Sequence, residues 1–270
     1  MKKLLSVFLI LILSISTLVG CNNTSSNDTK TVKLGVTGEE HEIWDLVKEK
    51  LAKEDINLEI ISFSDYIKPN MALDEGEIDI NAFQHHAYLD NFNNERNLKL
   101  VSIGDTVFAP MAIYPGKLKS LEKLKVGSKI AVPNDATNLG RALILLQNAG
   151  LIKLKDNVGL LPTIKDIADN PKNLEILELT ATQIPRSLQD VDVAVINSGV
   201  AVDAKLSPTK DSLFIEDSNL ETSKPYINLI ATKEENKNNE IYKKVVKAYQ
   251  SEEIKEAINK RYKGESIPAF

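Results

Sequence analysis

A two-lobed α/β fold is what this 270-residue sequence predicts, on three observations. Short β-rich runs alternate with stretches of helical period, the pattern of parallel βαβ units. Two proline-bearing stretches, APMAIYPGKLK (109–119) and DSNLETSKPY (217–226), interrupt that alternation and read as crossovers between lobes. A C-terminal stretch, helical by period and apolar on one face, must pack back onto an earlier part of the chain.

The elements follow in order. Residues 32–37 (VKLGVT) alternate apolar and polar side chains and read as a strand, and 40–52 is an amphipathic helix. Residues 57–62 form a second strand, followed by a helix around 66–74 and a strand at 78–83. In the middle of the chain come strand 129–133, helix 137–149, strand 174–179, a helix around 184–189 and the strongly apolar strand 191–197. Residues 239–263 are helical by the spacing of Ile241, Val245, Val246, Tyr249, Ile254 and Ile258. With both breaks as crossovers, residues 32–110 and 225–270 form lobe 1 and residues 111–224 form lobe 2. Such a layout encloses a hinged cleft, a favoured place for a small-molecule ligand.

Composition narrows the function classes. The chain is 43% apolar and 26% charged, which excludes collagenous, disulfide-rich and wholly disordered proteins. A net charge of −5 argues against nucleic acid as a partner, since phosphate binding calls for a basic face. Cys21 is the one cysteine, so no intrachain disulfide forms. The G-x-S-x-G, G-x-x-x-x-G-K-[ST], G-x-G-x-x-G, C-x-x-C and H-E-x-x-H signatures are absent, and nothing points to catalysis or to a cofactor.

The N-terminus has a logic of its own. Lys2 and Lys3 precede an uncharged run from 4 to 19, shorter than the ~20 residues of a membrane-spanning helix. This is the pattern of a secretory signal, here residues 1–20. Leu18-Val19-Gly20-Cys21 resembles a bacterial lipobox, which makes Cys21 the lipidated (palmitate-bearing) first residue of the mature chain. Residues 21–31 then read as a flexible tether, since 22–31 (NNTSSNDTKT) holds no apolar side chain. Removal of the signal takes the net charge from −5 to −7.

Five segments place polar and turn residues at the ends of expected strands, where open α/β sheets bind ligands. They are SDYIKPN (64–70), DINAFQHHAYL (79–89), PNDATNLGRAL (133–143), AVINSG (194–199) and PYINLI (225–230). Together with KSLEKLKVGSKIAVPND (119–135), LLPTIKDIADNPKNLEI (160–176) and YQSEEIKEAINKRYKG (249–264), they resemble the NlpA family over essentially the whole chain. That family comprises the extracytoplasmic substrate-binding lipoproteins of methionine ABC importers.

The resemblance implies a periplasmic-binding-protein fold of type II-like form, two α/β lobes closing on free L-methionine. It implies a non-catalytic receptor without a cofactor, held to the membrane by lipid on Cys21. The receptor would lie on the extracytoplasmic face, or in the periplasm of a two-membrane cell, and deliver its ligand to an ABC permease and its ATPase. Arg141, at the start of a helix opened by Asn134-Asp135 or Asn138, matches the family's carboxylate-binding position; there guanidinium and free backbone N–H groups would converge. Asn197 and Asn228 match positions that contact the ligand's backbone groups. Tyr66, Phe83, His85 and Tyr88 would form the slot for the thioether, which packs well against rings.

Taken singly, the same residues also read as a surface arginine, two structural amides and a core phenylalanine. His86 reads as a rim or solvent residue, and His41 and Trp44 as packing or surface. The chain departs from the family pattern at Gly38-Glu39-Glu40-His41-Glu42, at Ala87, at residues 178–183 and in the 217–224 loop. These departures keep another amino acid or a short peptide as alternative ligands. A divalent metal held by His85, His86 and Asp79 or Asp90 is a further alternative, and a surface adhesin-type lipoprotein is one from another class.

Overall fold

Two sheets, each with its own apolar core, organise the computed structural model, which describes residues 29–39, 41–218 and 221–270. The expected signal, Cys21 and most of the expected tether lie outside the described residues. Lys30 and Thr31, read as the end of that tether, are the first residues of β1 (Lys30–Thr37). Val32, Leu34 and Val36 of this strand are buried, and helix α1 (Glu42–Ala52) covers them with Ile43, Trp44, Val47 and Leu51. The chain returns in β2 (Ile56–Phe63), parallel to β1.

Helix α2 (Lys68–Glu75), short strand β3 (Ile80–Asn81), helix α3 (His86–Arg96) and the long β4 (Leu100–Phe108) follow. The first sheet is completed from the C-terminal part of the chain by β12 (Ile227–Lys233) and β13 (Ile267–Pro268), in the order β13-β4-β12-β3-β1-β2. β1, β2 and β3 run parallel, whereas β12 is antiparallel to both β3 and β4.

The second sheet lies between these parts of the sequence. It consists of β5 (Ala112–Pro115), β6 (Lys129–Pro133), β9 (Glu175–Leu179), β10 (Val193–Ile196) and β11 (Phe214–Ile215), ordered β11-β5-β10-β6-β9. Strands β7 (Lys153–Leu154) and β8 (Ile167–Asp169) form a separate ladder. All four residues of β10 are buried, which explains its unbroken apolar sequence: a central strand covered on both faces has no polar side. Helix α4 (Ala136–Asn148) packs Leu139, Ala142, Leu143, Leu145 and Leu146 on one face, and the short α5 (Ser198–Asp203) follows β10. The chain changes sheet after Phe108, before Ala112, and again between Ile215 and Ile227.

Several expected elements are corrected. β4, β5, β12 and α3 occupy segments given no assignment from the sequence. The expected strand at 78–83 contracts to two residues because the chain turns into α3. The expected helix near 184–189 is a 3-10 segment, Ala181–Ser187, containing Pro185, which lacks the N–H an α-helix would use. The long C-terminal helix is two, α6 (Glu240–Tyr249) and α7 (Glu252–Tyr262), broken where Ser251 is extended. The break lets Tyr242, Val245 and Tyr249 on one helix, and Ile254 and Ile258 on the other, reach the same core as β1 and α1.

The sheets touch beside the crossovers. Gly38, at φ +82, lies where a Cβ would collide with the Asp203 carboxylate at the end of α5, so the close approach needs glycine there. Asp203 Oδ1 also accepts from Glu39 N at 3.4 Å. On the other flank Ser198 donates to the Glu265 carbonyl and Ser207 to its carboxylate.

Ile258 is fully buried against elements some 200 residues earlier in the chain, so Ile258→Ala should cost about 2–5 kcal/mol. Urea denaturation measures it. A loss well under 1 kcal/mol would mean that the C-terminal helices are not part of the first core.

Candidate functional site

The loops that follow β2, β3, β6 and β10, together with the start of β12, meet between the sheets. They enclose a cavity of about 70 Å³ lined by Tyr66, Phe83, His85, Tyr88, Arg141, Asn197 and Asn228, with Asn138 between them. One water needs roughly 10–15 Å³ by this measure, so several heavy atoms fit. A wider space of about 570 Å³, bordered by Gly38, Tyr66, Arg186 and Asp203, adjoins it. All seven residues expected to bind ligand therefore share one chamber, although they come from both sheets.

The aromatic wall is built locally. His85 caps α3, its Nδ1 accepting from Tyr88 N at 3.1 Å. Tyr88 O–H donates to the Tyr66 carbonyl at 2.9 Å. The rings of Tyr66, Phe83 and Tyr88 lie with mutual centroid distances of 5.9–6.1 Å, and His85 stands edge-on to Tyr88 at 6.3 Å. Three buried amides missed in the sequence hold this turn. Asn70 Nδ2 donates to Gln84 Oε1 (2.8 Å), Asn81 Nδ2 to Asn70 Oδ1 (2.8 Å), and Gln84 Nε2 to Asn70 Oδ1 and Asn81 Oδ1 (2.7 and 2.9 Å). Their presence in two of the five polar segments was the available signal. Burial without hydrogen bonds would be costly, and here the three satisfy one another.

Burial, and then the nearby charge of Arg141, push the His85 imidazole down from 6.5 to about 3, so the ring is neutral. With Nδ1 an acceptor, the proton sits on Nε2, 3.4 Å from Asn138 Oδ1. His86 lies at the rim, its side chain 36% exposed, with Nε2 2.7 Å from Asp105 Oδ1. Asp79 is engaged by Lys33 N and Tyr242 O–H. Among the described residues no three His, Cys, Asp or Glu side chains are grouped to hold a metal ion, so the metal alternative has no geometric support.

Arg141 is not a surface residue; its side chain is 3% exposed. It lies in the second turn of α4, not at its start, because the cap is Asp135, whose carboxylate takes the N–H of Asn138. The guanidinium meets Glu216, with Nε 3.0 Å from Oε1 and Nη2 2.5 Å from Oε2, and Nη2 also donates to the Ala109 carbonyl at 3.0 Å. Its Cζ lies 4.4 Å from the Tyr226 ring centroid. Glu216 escaped sequence reasoning because it lies 75 residues away beside a two-residue strand. Nη1 makes no hydrogen bond among the described residues.

The amides form a second group. Asn138 Nδ2 donates to both Asp135 oxygens, at 3.0 and 3.1 Å. Asn138 Oδ1 accepts from Asn197 Nδ2 at 2.7 Å, and Asn197 Oδ1 is buried with no partner. Burial pushes the Asp135 carboxyl up, opposed by the donors from Asn138 and Thr137. Asn228, bridged to His85, closes the chamber from the first sheet. A spare guanidinium edge, an unpartnered amide oxygen and an aromatic wall suit a small zwitterion with an apolar side chain.

Comparison with known proteins agrees with that chemistry. The family model described as NlpA lipoprotein matches residues 32–270. The D-methionine-binding lipoprotein MetQ of Escherichia coli K12 is 50% identical over 258 residues, covering 94% of this chain and 93% of that relative. A lipoprotein structure from Ruminococcus gnavus superposes with TM-score 0.87 at 46% identity, over 89% of this chain and 100% of the other. A nutrient-binding protein from Burkholderia cenocepacia, solved bound to methionine, gives TM-score 0.83 at 47% identity, over 88% and 100%. The fold is thus the two-lobe α/β fold of methionine-binding substrate-binding proteins.

The neutral histidine has a consequence for stability. The unfolded chain takes up a proton near pH 6.5 that the native site refuses until about pH 3. Stability is therefore whole above pH 6.5 and falls below it, by roughly 1.4 kcal/mol per pH unit from this group. Urea midpoints between pH 6.5 and 5 should show the decline, and His85→Gln should flatten it. An identical slope in the variant would remove His85 as its source.

Proposed function

The chain belongs to the NlpA lipoprotein family, and from that premise we propose that it is the methionine receptor of an ABC importer. It captures the amino acid between its lobes and hands it to a membrane permease driven by an ATPase. The observation that carries this reading is the convergence, in one small chamber, of the buried Arg141, the unpartnered Asn197 oxygen and the ring wall. Arg141 receives the carboxylate, Asn197 and Asn228 the ligand's backbone groups, and Tyr66, Phe83, His85 and Tyr88 the thioether. Both ends of a buried zwitterion are then matched, which their desolvation requires.

The lobes comprise residues 32–110 with 225–270, and residues 111–224, and they close by bending at the two crossovers. Cys21 bears the lipid and residues beyond it the tether, so the receptor stays on the extracytoplasmic membrane surface. The protein is a carrier and not a catalyst: His85, the imidazole in the chamber, spends both ring nitrogens on Tyr88 and Asn138 and has none to activate a nucleophile. Calorimetric titration of ligand-stripped protein with L- and D-methionine should show 1:1 binding. Silence toward both enantiomers, with mass spectrometry finding another small molecule on release, would replace methionine as the ligand.

Arg141→Ala should abolish methionine binding and also cost about 3 kcal/mol of stability, because it strands the largely buried Glu216 carboxylate, 13% exposed. Combining it with Glu216→Gln should recover most of the melting temperature and none of the binding. A double variant that binds as wild type would take Arg141 out of the site.

A further inference from the structure

We infer that Asp135 is a positioning residue, whose carboxylate sets the direction of a hydrogen-bond relay through Asn138 and Asn197 that ends on an acceptor for the ligand's ammonium group. The inference rests on the amino-acid reading of the chamber and assigns the part of it that orients one end of the ligand.

An amide side chain has an oxygen end and a nitrogen end, and a chain of amides can run either way. An ionised carboxylate only accepts, so it breaks that symmetry. Asp135 takes the Nδ2 hydrogens of Asn138 on both oxygens, which turns Asn138 Oδ1 toward the chamber. That oxygen takes Asn197 Nδ2 at 2.7 Å, with His85 Nε2 at 3.4 Å, leaving Asn197 Oδ1 as the free end. It is buried and unpartnered, an acceptor prepared before any ligand arrives. A relay running the other way would present an NH2 group, which repels an ammonium.

Charge points the same way. Asp135 is partly buried, and its described hydrogen-bond partners are Asn138 and Thr137, neither of them a cation. The same fold pairs its buried Arg141 directly with Glu216. A ligand ammonium at Asn197 would supply, one amide away, the countercharge that Asp135 lacks.

Asp135 also caps α4, and asparagine caps helices about as well as aspartate. Asp135→Asn therefore keeps the cap and removes the acceptor-only group. Titration with methionine should show at least a tenfold loss of affinity with the melting temperature within a few degrees of wild type. In an Asn197→Ala background, or Asn197→Ser if the alanine variant does not fold, the same change should alter affinity less than threefold, since the relay has lost its end. An equal loss in both backgrounds, or no loss in either, overturns the relay while leaving the methionine reading intact. A wild-type protein that binds no methionine overturns both.

Discussion

One buried guanidinium joins the wall of the chamber to the connections between sheets. Arg141 belongs to a helix on the second sheet, yet its hydrogen bonds go to Ala109 on the first crossover and to Glu216 at the start of the second. A charge so removed from water survives only with a countercharge and further hydrogen bonds. The sequence provides the countercharge from the far end of the lobe. The free edge of Arg141 thus belongs to a side chain already tied to both connections between the sheets.

Buried amides do two kinds of work in this fold, and hydrogen-bond satisfaction tells them apart. Asn70, Asn81 and Gln84 close a ring of mutual donors and acceptors, and that saturated cluster fixes the turn carrying Phe83 and His85. Asn138 and Asn197 form an open chain that stops one acceptor short. A closed ring stabilises the scaffold, whereas an open end inside a cavity is a place for something else to bind.

The neutral imidazole fits the same logic. His85 would carry a proton at mildly acid pH in an exposed setting, but burial beside Arg141 forbids a second cation there. The ring thereby serves as an uncharged wall of the chamber and as the cap of α3 in one stroke.

Much of this was legible without coordinates. Alternation of short apolar runs with helical period gave the α/β class, because periods of two and near four reflect local backbone geometry. The five polar segments contain the chamber's residues, since turn chemistry at strand ends is also local, and the resemblance to the NlpA family singled them out within those segments. What stayed hidden depended on distance along the chain. β4 and β12 run antiparallel after the alternation breaks, and their pairing joins residues more than a hundred positions apart. Glu216 finds Arg141 only through the packed second sheet, and the direction of the amide relay exists only once Asp135, Asn138 and Asn197 are brought within hydrogen-bond reach. Sequence determined which groups were available; tertiary packing decided which were already satisfied and which were left open, because hydrogen bonding and desolvation depend on neighbours in space.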